Sequence, residues 1–187
     1  MRPKMEKRQR ESFAWILDYM DRGVPRRFWR KEPIPYAQAI GEEYFFLLEL
    51  QVFGGRKLPI GQRIPLFLQE QQRTVVVLSR IYYEDLTMEA RDNLKQVLIK
   101  IIESNEQRFL GIMNSMGLIT PKLHSYELLS GIGKNITKKI IEEREKNAFK
   151  SFEEFEERTG VNNIKEIIAE RIKEELSTKQ KYKLFVR

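Results

Sequence analysis

In this 187-residue chain, the residue types and spacing best suited to chemistry lie in Leu128, Leu129, Ser130, Gly131, Ile132, Gly133 and Lys134. Two glycines separated by one Ile let the backbone reverse where a Cβ would clash. The reversal leaves the first N–H groups of the next helix unpaired, at the positive end of its dipole. Amides so placed hold a phosphate oxygen without reading base sequence. Lys134, Lys138 and Lys139 bring cations to the bend, and Thr137 is expected on the same open side. The pattern is that of a helix-hairpin-helix module. The plainer alternative is a sharp helix connection that contacts nothing. A nucleotide P-loop fails on spacing, because it needs a longer gap between glycines and a Ser or Thr after the Lys. Here Asn135 follows Lys134.

A second candidate is the basic and aromatic run Arg26, Arg27, Phe28, Trp29, Arg30 and Lys31. Tyr44, Phe46, Trp29, Tyr82 and Tyr83, near Arg56, Lys57, Arg63, Arg73 and Arg80, are candidates for stacking unpaired bases. The alternative is that most of these rings are core. Catalysis finds less support. Glu42 and Glu43 read as a solvated acidic pair in a turn. There is no Cys and a single His, His124, which reads as packing or capping. No nucleophile–base set and no carboxylate–histidine cluster of a metal nuclease can be assembled. A binder rather than an enzyme is expected, with no cofactor and no metal.

The charge distribution sharpens this expectation. The net charge is +7, but residues 1–33 hold 10 Lys/Arg against 5 Asp/Glu, and residues 177–187 hold 4 basic side chains and no acid. The span 34–176 has 20 against 22, so both ends are basic and the middle is not. A polyanionic partner fits; solvated basic ends are the alternative. Residues 123–176 carry 10 basic and 12 acidic residues, so affinity from the hairpin module alone should be modest. No apolar run is long enough to span a bilayer, and a cytoplasmic, reducing setting is expected.

The elements that must position these residues fall into two patterns. Residues 13–84 read mainly as strands: an alternation from Phe13 to Met20, then stretches at 36–40, 44–53, 61–68 and 73–83, divided by Gly and Pro. Five short strands predict a small antiparallel barrel, OB-like, with an SH3-like barrel as the competitor. From Leu86 the period becomes helical, with Thr87 as the expected N-cap and an interruption at Ser104–Asn105. Shorter helices are expected at 124–129, at 134–146 with Ile136, Ile140 and Ile141 inward, after a Ser151–Glu154 capping box, and after an Asn163/Glu166 cap. The second hairpin, Gly160 to Asn163, looks like a looser copy of the first. Residues 181–187 alternate and are expected to add a strand to the barrel. The resulting fold class is α+β: 1–85 an OB-like β-barrel with a basic N-terminal segment, 86–122 a connecting long helix or helix pair, 123–187 an all-α tandem helix-hairpin-helix domain with a basic tail.

Several stretches together resemble an archaeal family designated domain of unknown function 655. They are Trp15-Ile-Leu-Asp-Tyr19, Ala39-Ile-Gly-Glu-x-Tyr-Phe-x-Leu-Leu-Glu49, Ile81-Tyr-Tyr-Glu-Asp-Leu-Thr87 and Glu106-x-Arg-Phe109. Further on are Ile119-Thr-Pro-Lys-Leu-His124, Glu127-Leu-Leu-Ser-Gly-Ile-Gly-Lys134, Phe149-Lys-Ser-Phe152 and Tyr182-Lys-Leu-Phe-Val186. The resemblance covers nearly the whole chain. It implies an OB-like barrel joined to a helix-hairpin-helix domain, nucleic-acid or nucleotide binding, and an RNA-related or translation-linked setting. Where that family carries a Pro before Gly-Ile-Gly, this chain has Ser130, which loosens the hairpin's pre-organisation.

The expectation from sequence is therefore a non-enzymatic nucleic-acid-binding protein, for RNA before single-stranded or duplex DNA. Gly131, Ile132, Gly133, Lys134, Thr137, Lys138 and Lys139 would hold the backbone, and Arg26, Arg27, Trp29 and Arg30 would assist. The alternative is a protein-interaction scaffold docking on a ribosomal or transcription complex through its basic ends. No membrane partner is expected.

Overall fold

The computed structural model describes residues 9–25, 33–67, 69 and 73–186. The chain divides into two compact units, Met1–Asn93 with Phe185–Arg187, and Leu94–Leu184. The cut falls inside a helix, so the segment read from sequence as a connector is shared between the units.

The first unit is built on a five-stranded antiparallel sheet: β1 (Phe13–Gly23), β2 (Ile34–Gly41), β3 (Leu47–Val52), β4 (Arg63–Pro65) and β5 (Val75–Ile81), in the order β4-β1-β2-β3-β5. The alternation read from sequence sorts the side chains to two faces. Ala14, Ile16, Ala37, Ala39, Leu48, Leu50 and Ile64 share one buried cluster. Trp15, Leu17, Gln38, Ile40 and Leu47, one residue out of phase, are buried as well. The polar Gln38 is satisfied: its amide donates to the Asp85 carbonyl at 3.0 Å and accepts from the Thr87 N–H at 2.8 Å.

The sheet is open, which corrects the expected closed barrel. Among the described residues, β4 pairs only with β1 and β5 only with β3. β4 is only three residues long and ends on Pro65, which has no N–H to donate to a further ladder. β3 is also shorter than expected. The Glu11 carboxylate accepts the N–H groups of Glu43, Tyr44 and Phe46 at 2.8, 2.9 and 3.0 Å. Those amides are therefore unavailable to the strand ladder, and Phe45 turns through φ +62°. Burial pushes the Glu11 pKa up despite those amides.

Glu42 is not solvated. It is buried, accepts the Trp15 indole N–H at 2.9 Å, and takes Arg63 in a two-pronged pair at 2.8 and 2.7 Å. A sequence turn with two acids hid this pair because Arg63 lies across the sheet.

Helix α1 (Met88–Ser104) begins as predicted. The Thr87 hydroxyl accepts the Ala90 N–H at 3.0 Å and donates to Asp18 at 2.7 Å. Asn105 separates α1 from α2 (Glu106–Ser115), also as predicted. The second unit takes the rest of α1, α2, a short two-stranded ribbon of β6 (Leu118–Thr120) and β7 (Leu123–His124), α3 (Lys134–Lys146), α4 (Phe152–Thr159) and α5 (Ile164–Ser177).

Four local expectations need correcting here. Residues 124–129 form the end of β7 and a 3-10 turn (Ser125–Leu128), not an α-helix. Ser151 accepts from the Glu154 N–H at 3.0 Å, but Glu154 reaches back to Lys150 rather than closing the box on Ser151. Ile136 is exposed, while Ile140 is fully buried. Residues 181–186 form no strand; instead Leu184 N–H donates to the buried Glu175 at 2.7 Å, which Arg171 also holds at 2.9 Å. No helix among the described residues is long and apolar enough to cross a membrane.

Candidate nucleic-acid interface

The Gly131–Gly133 bend is pinned from behind and open in front. Upstream, the Tyr126 side chain is fully buried and its hydroxyl donates to the Met113 carbonyl at 2.6 Å. Burial pushes the Tyr126 phenol up to about 12, so it stays a donor. The His124 ring stacks on Tyr126 at 5.1 Å, and its Nδ1 accepts the Tyr126 N–H at 3.2 Å. Burial, aided by the Arg144 charge and opposed by Glu127, holds the His124 pKa below its ordinary value and keeps Nδ1 an acceptor. From the far end of α3, Arg144 donates to the Met116 carbonyl at 2.5 Å.

The bend itself is a tight turn. Ile132 N–H donates to the Leu129 carbonyl at 3.0 Å, and both side chains are buried beneath it. Gly131 sits at φ +78°, the left-handed region that only Gly enters freely. Gly133 is the N-cap of α3, at φ −90° and ψ −178°, and so offers no side chain to the helix start. The first helical bond runs from Thr137 N–H to the Gly133 carbonyl at 2.9 Å, and no side chain caps the amides before it. A Cβ placed on Gly131 or Gly133 would meet nothing within 4 Å. The surface in front is a shallow depression between Glu127–Gly133 and Glu174.

Lys134, Lys138 and Lys139 are exposed on α3, but the Lys139 ammonium lies beside Gly160 rather than at the Gly131–Gly133 bend. Lys138 makes only a long, exposed contact of 3.8 Å with Glu142, which is worth little. Thr137 does not join them; it is buried, with its hydroxyl unpartnered, because it falls on the inward face of α3's first turn. Arg26, Arg27, Trp29 and Arg30 lie outside the described residues, as do Phe28 and Lys31. Among the described residues no group of three or more His, Asp or Glu side chains is arranged to hold a metal.

The second bend differs in one decisive way. Gly160 and Asn163 are left-handed at φ +74° and +59°, and Asn163 makes no side-chain cap. The Glu156 carboxylate accepts the Ile164 N–H at 2.7 Å, so the chain's own anion occupies the start of α5. The expected Asn163/Glu166 cap is therefore replaced by Glu156, reaching across from α4.

Of the proposed stacking rings, Tyr82 is 65% exposed. Tyr44 and Phe46 are half-buried and stacked at 5.5 Å, and Tyr83 lies 5.3 Å from the Arg91 guanidinium. Sequence reasoning missed Phe67, which is 59% exposed, and Arg10; the alternation around Pro65 disguised Phe67 as a strand residue.

Comparisons with known proteins agree with this architecture. The chain is 39% identical over 188 residues to "Uncharacterized protein MJ0038" of Methanocaldococcus jannaschii, covering 99% of this chain and 84% of that one. It is similar to the crystal structure of Af1531 from Archaeoglobus fulgidus, described as family-model DUF655. The TM-score is 0.84 at 34% identity, over 95% of this chain and 100% of that one. The family model "Protein of unknown function (DUF655)" matches residues 10–187, and the chain belongs to that family.

Proposed function

We propose that this protein binds nucleic acid, RNA in the first instance, without turning it over. In this reading the uncapped start of α3 takes one backbone phosphate on the amides that follow Gly131 and Gly133. Lys134, Lys138 and Lys139 add charge, and the Leu129–Lys134 segment serves as the working half of a helix-hairpin-helix motif. The first unit meets unpaired bases, in the manner of an OB-like surface, and the setting is cytoplasmic.

One observation carries the reading. Of two similar bends, one has a carboxylate bound at its helix start and the other has no side-chain cap and two exposed lysines, Lys134 and Lys138, in its first turns. An anion stabilises a helix N-terminus, and the first bend lacks one of its own. Gly133 supports it too: its backbone angles suit any residue, so the missing side chain serves access rather than the turn.

The test is binding of a short RNA and of single-stranded DNA to the wild type and to Lys138→Glu/Lys139→Glu over several salt concentrations. Wild-type affinity should fall as salt rises, with a log–log slope of about −0.7 per phosphate neutralised. The double variant should bind more weakly with a shallower slope. Equal affinities and a flat salt response would reject the proposal. Retention by a protein partner after nuclease treatment would instead favour the scaffold reading.

A further inference from the structure

The open seam of the sheet contains a second candidate site, independent of the hairpin. A cleft of about 500 Å³ lies in the first unit, lined from opposite edges of the sheet. Phe46, Val77 and Arg80 come from the β3–β5 side, Arg10, Glu11 and Phe67 from the β1–β4 side. The volume is that of a small-molecule pocket, where pockets run from roughly 300 to 1,000 Å³. Phe67 leaves 59% of its surface in water and Val77 36%, although both are apolar and face the same cleft.

The walls favour a flat, aromatic, anionic guest. On one side two planar groups of the lining are stacked, the Arg80 guanidinium carbon being 3.5 Å from the Phe46 centroid; Tyr44, outside the lining, lies 5.5 Å from Phe46 at 22°. Arg80 also donates to the Gln9 carbonyl, which fixes the plane of its guanidinium. Stacking on a pre-set plane loses little side-chain freedom. The one acidic group of the lining, Glu11, is committed to three backbone amides. The charge facing a ligand is therefore that of two arginines, Arg10 and Arg80. An apolar guest would leave those cations without a counter-charge, and an aliphatic acid would leave Phe67 unstacked.

We infer that this cleft seats one nucleobase against Phe67 and Arg80, with the adjoining phosphate at Arg10, the base belonging either to a free nucleotide or to an unpaired position of a strand. The strand source rests on the nucleic-acid reading above; the free-nucleotide source does not.

The experiment titrates AMP, a six-residue oligoadenylate and base-free ribose 5-phosphate into the full chain, by calorimetry or by shifts of the Phe67 ring signals. The variants are Phe67→Ala, which removes an exposed ring and should leave the circular dichroism unchanged, and Lys138→Glu/Lys139→Glu. AMP should bind at least tenfold more tightly than ribose 5-phosphate. Phe67→Ala should weaken both AMP and the oligonucleotide by about tenfold or more, as loss of one stacked base implies. The double lysine variant should weaken the oligonucleotide and leave AMP unchanged. Oligonucleotide binding sensitive to Phe67→Ala without AMP binding supports the strand source. Ribose 5-phosphate matching AMP, Phe67→Ala matching wild type, or no binding of either base-bearing ligand overturns the inference. If the oligonucleotide responds to the lysine variant but not to Phe67→Ala, the cleft falls and the hairpin stands.

Discussion

The Ile164 N–H donates to the Glu156 carboxylate at 2.7 Å, so α4 supplies an anion to the start of α5. At the start of α3, Gly133 occupies the corresponding place and no side chain reaches the first amides. Two bends of similar sequence thus differ in whether their helix dipole is already answered.

Removing that internal anion should cost stability. Glu156→Ala leaves the Ile164 amide without its acceptor, and Asn163, in the left-handed region, makes no replacement cap. A loss of about 1 kcal/mol is expected, the usual scale for an N-terminal cap, read as a lowered urea midpoint. Affinity for RNA should not fall, because the carboxylate serves the other bend. An unchanged midpoint would contradict the capping role.

The two glycines of the first bend should separate folding from binding. Gly131→Ala forces a Cβ into φ +78° and should destabilise by about 1 kcal/mol. Gly133→Ala meets no atom within 4 Å and no backbone strain, so its unfolding midpoint should match wild type. Its new methyl should nonetheless obstruct the approach to the amides and weaken RNA binding severalfold. Undiminished binding by a folded Gly133→Ala protein would argue against amide contact.

Stability should weaken in mild acid because of His124. Burial first, and then Arg144, lower its folded pKa, with Glu127 opposing, while the unfolded chain titrates near the ordinary 6.5. Between those two values the unfolded state binds more protons, so stability rises with pH there. The contribution is complete above about 6.5 and is lost as pH falls through the lowered folded value. Thermal midpoints should therefore drop on moving from pH 7 to pH 5, and His124→Gln should flatten that part of the profile. Parallel profiles for the two proteins would remove His124 as the cause.

Glu42 and Arg63 should behave as a coupled pair. Arg63→Met takes two charged donors away from a buried carboxylate, and the Trp15 indole is a neutral donor that brings no counter-charge. Full burial would imply roughly 3–5 kcal/mol. The Arg63 side chain is 44% exposed, so solvent screening reduces the expectation to about 1–2 kcal/mol. Glu42→Gln/Arg63→Met should be less harmful than the two single losses added together, measured by urea unfolding as a double-mutant cycle.

The sequence was most legible where a signal is local. Thr87, Asn105, Lys134–Lys146 and the Gly131–Gly133 bend are placed by capping, helical period and glycine geometry, all of which act within a few residues. The exposure of Lys134, Lys138 and Lys139 followed from the same period, and Thr137 was misplaced only because one step along a helix turns a side chain by about 100°.

What the chain alone could not reveal depends on partners far apart in sequence. The Glu11 carboxylate delays the start of β3 from more than thirty residues away, Arg63 neutralises Glu42 across the sheet, and Glu156 rather than Asn163 caps α5. The cleft between Phe67 and Arg80 exists because β4 and β5 stay unpaired with each other. Periodicity determined which residues face inward and where the helices begin; only the folded chain decided which charges meet and which sheet edges remain open. Periodicity is a property of neighbours along the backbone, whereas side-chain pairing and sheet closure depend on which distant segments come within hydrogen-bonding reach.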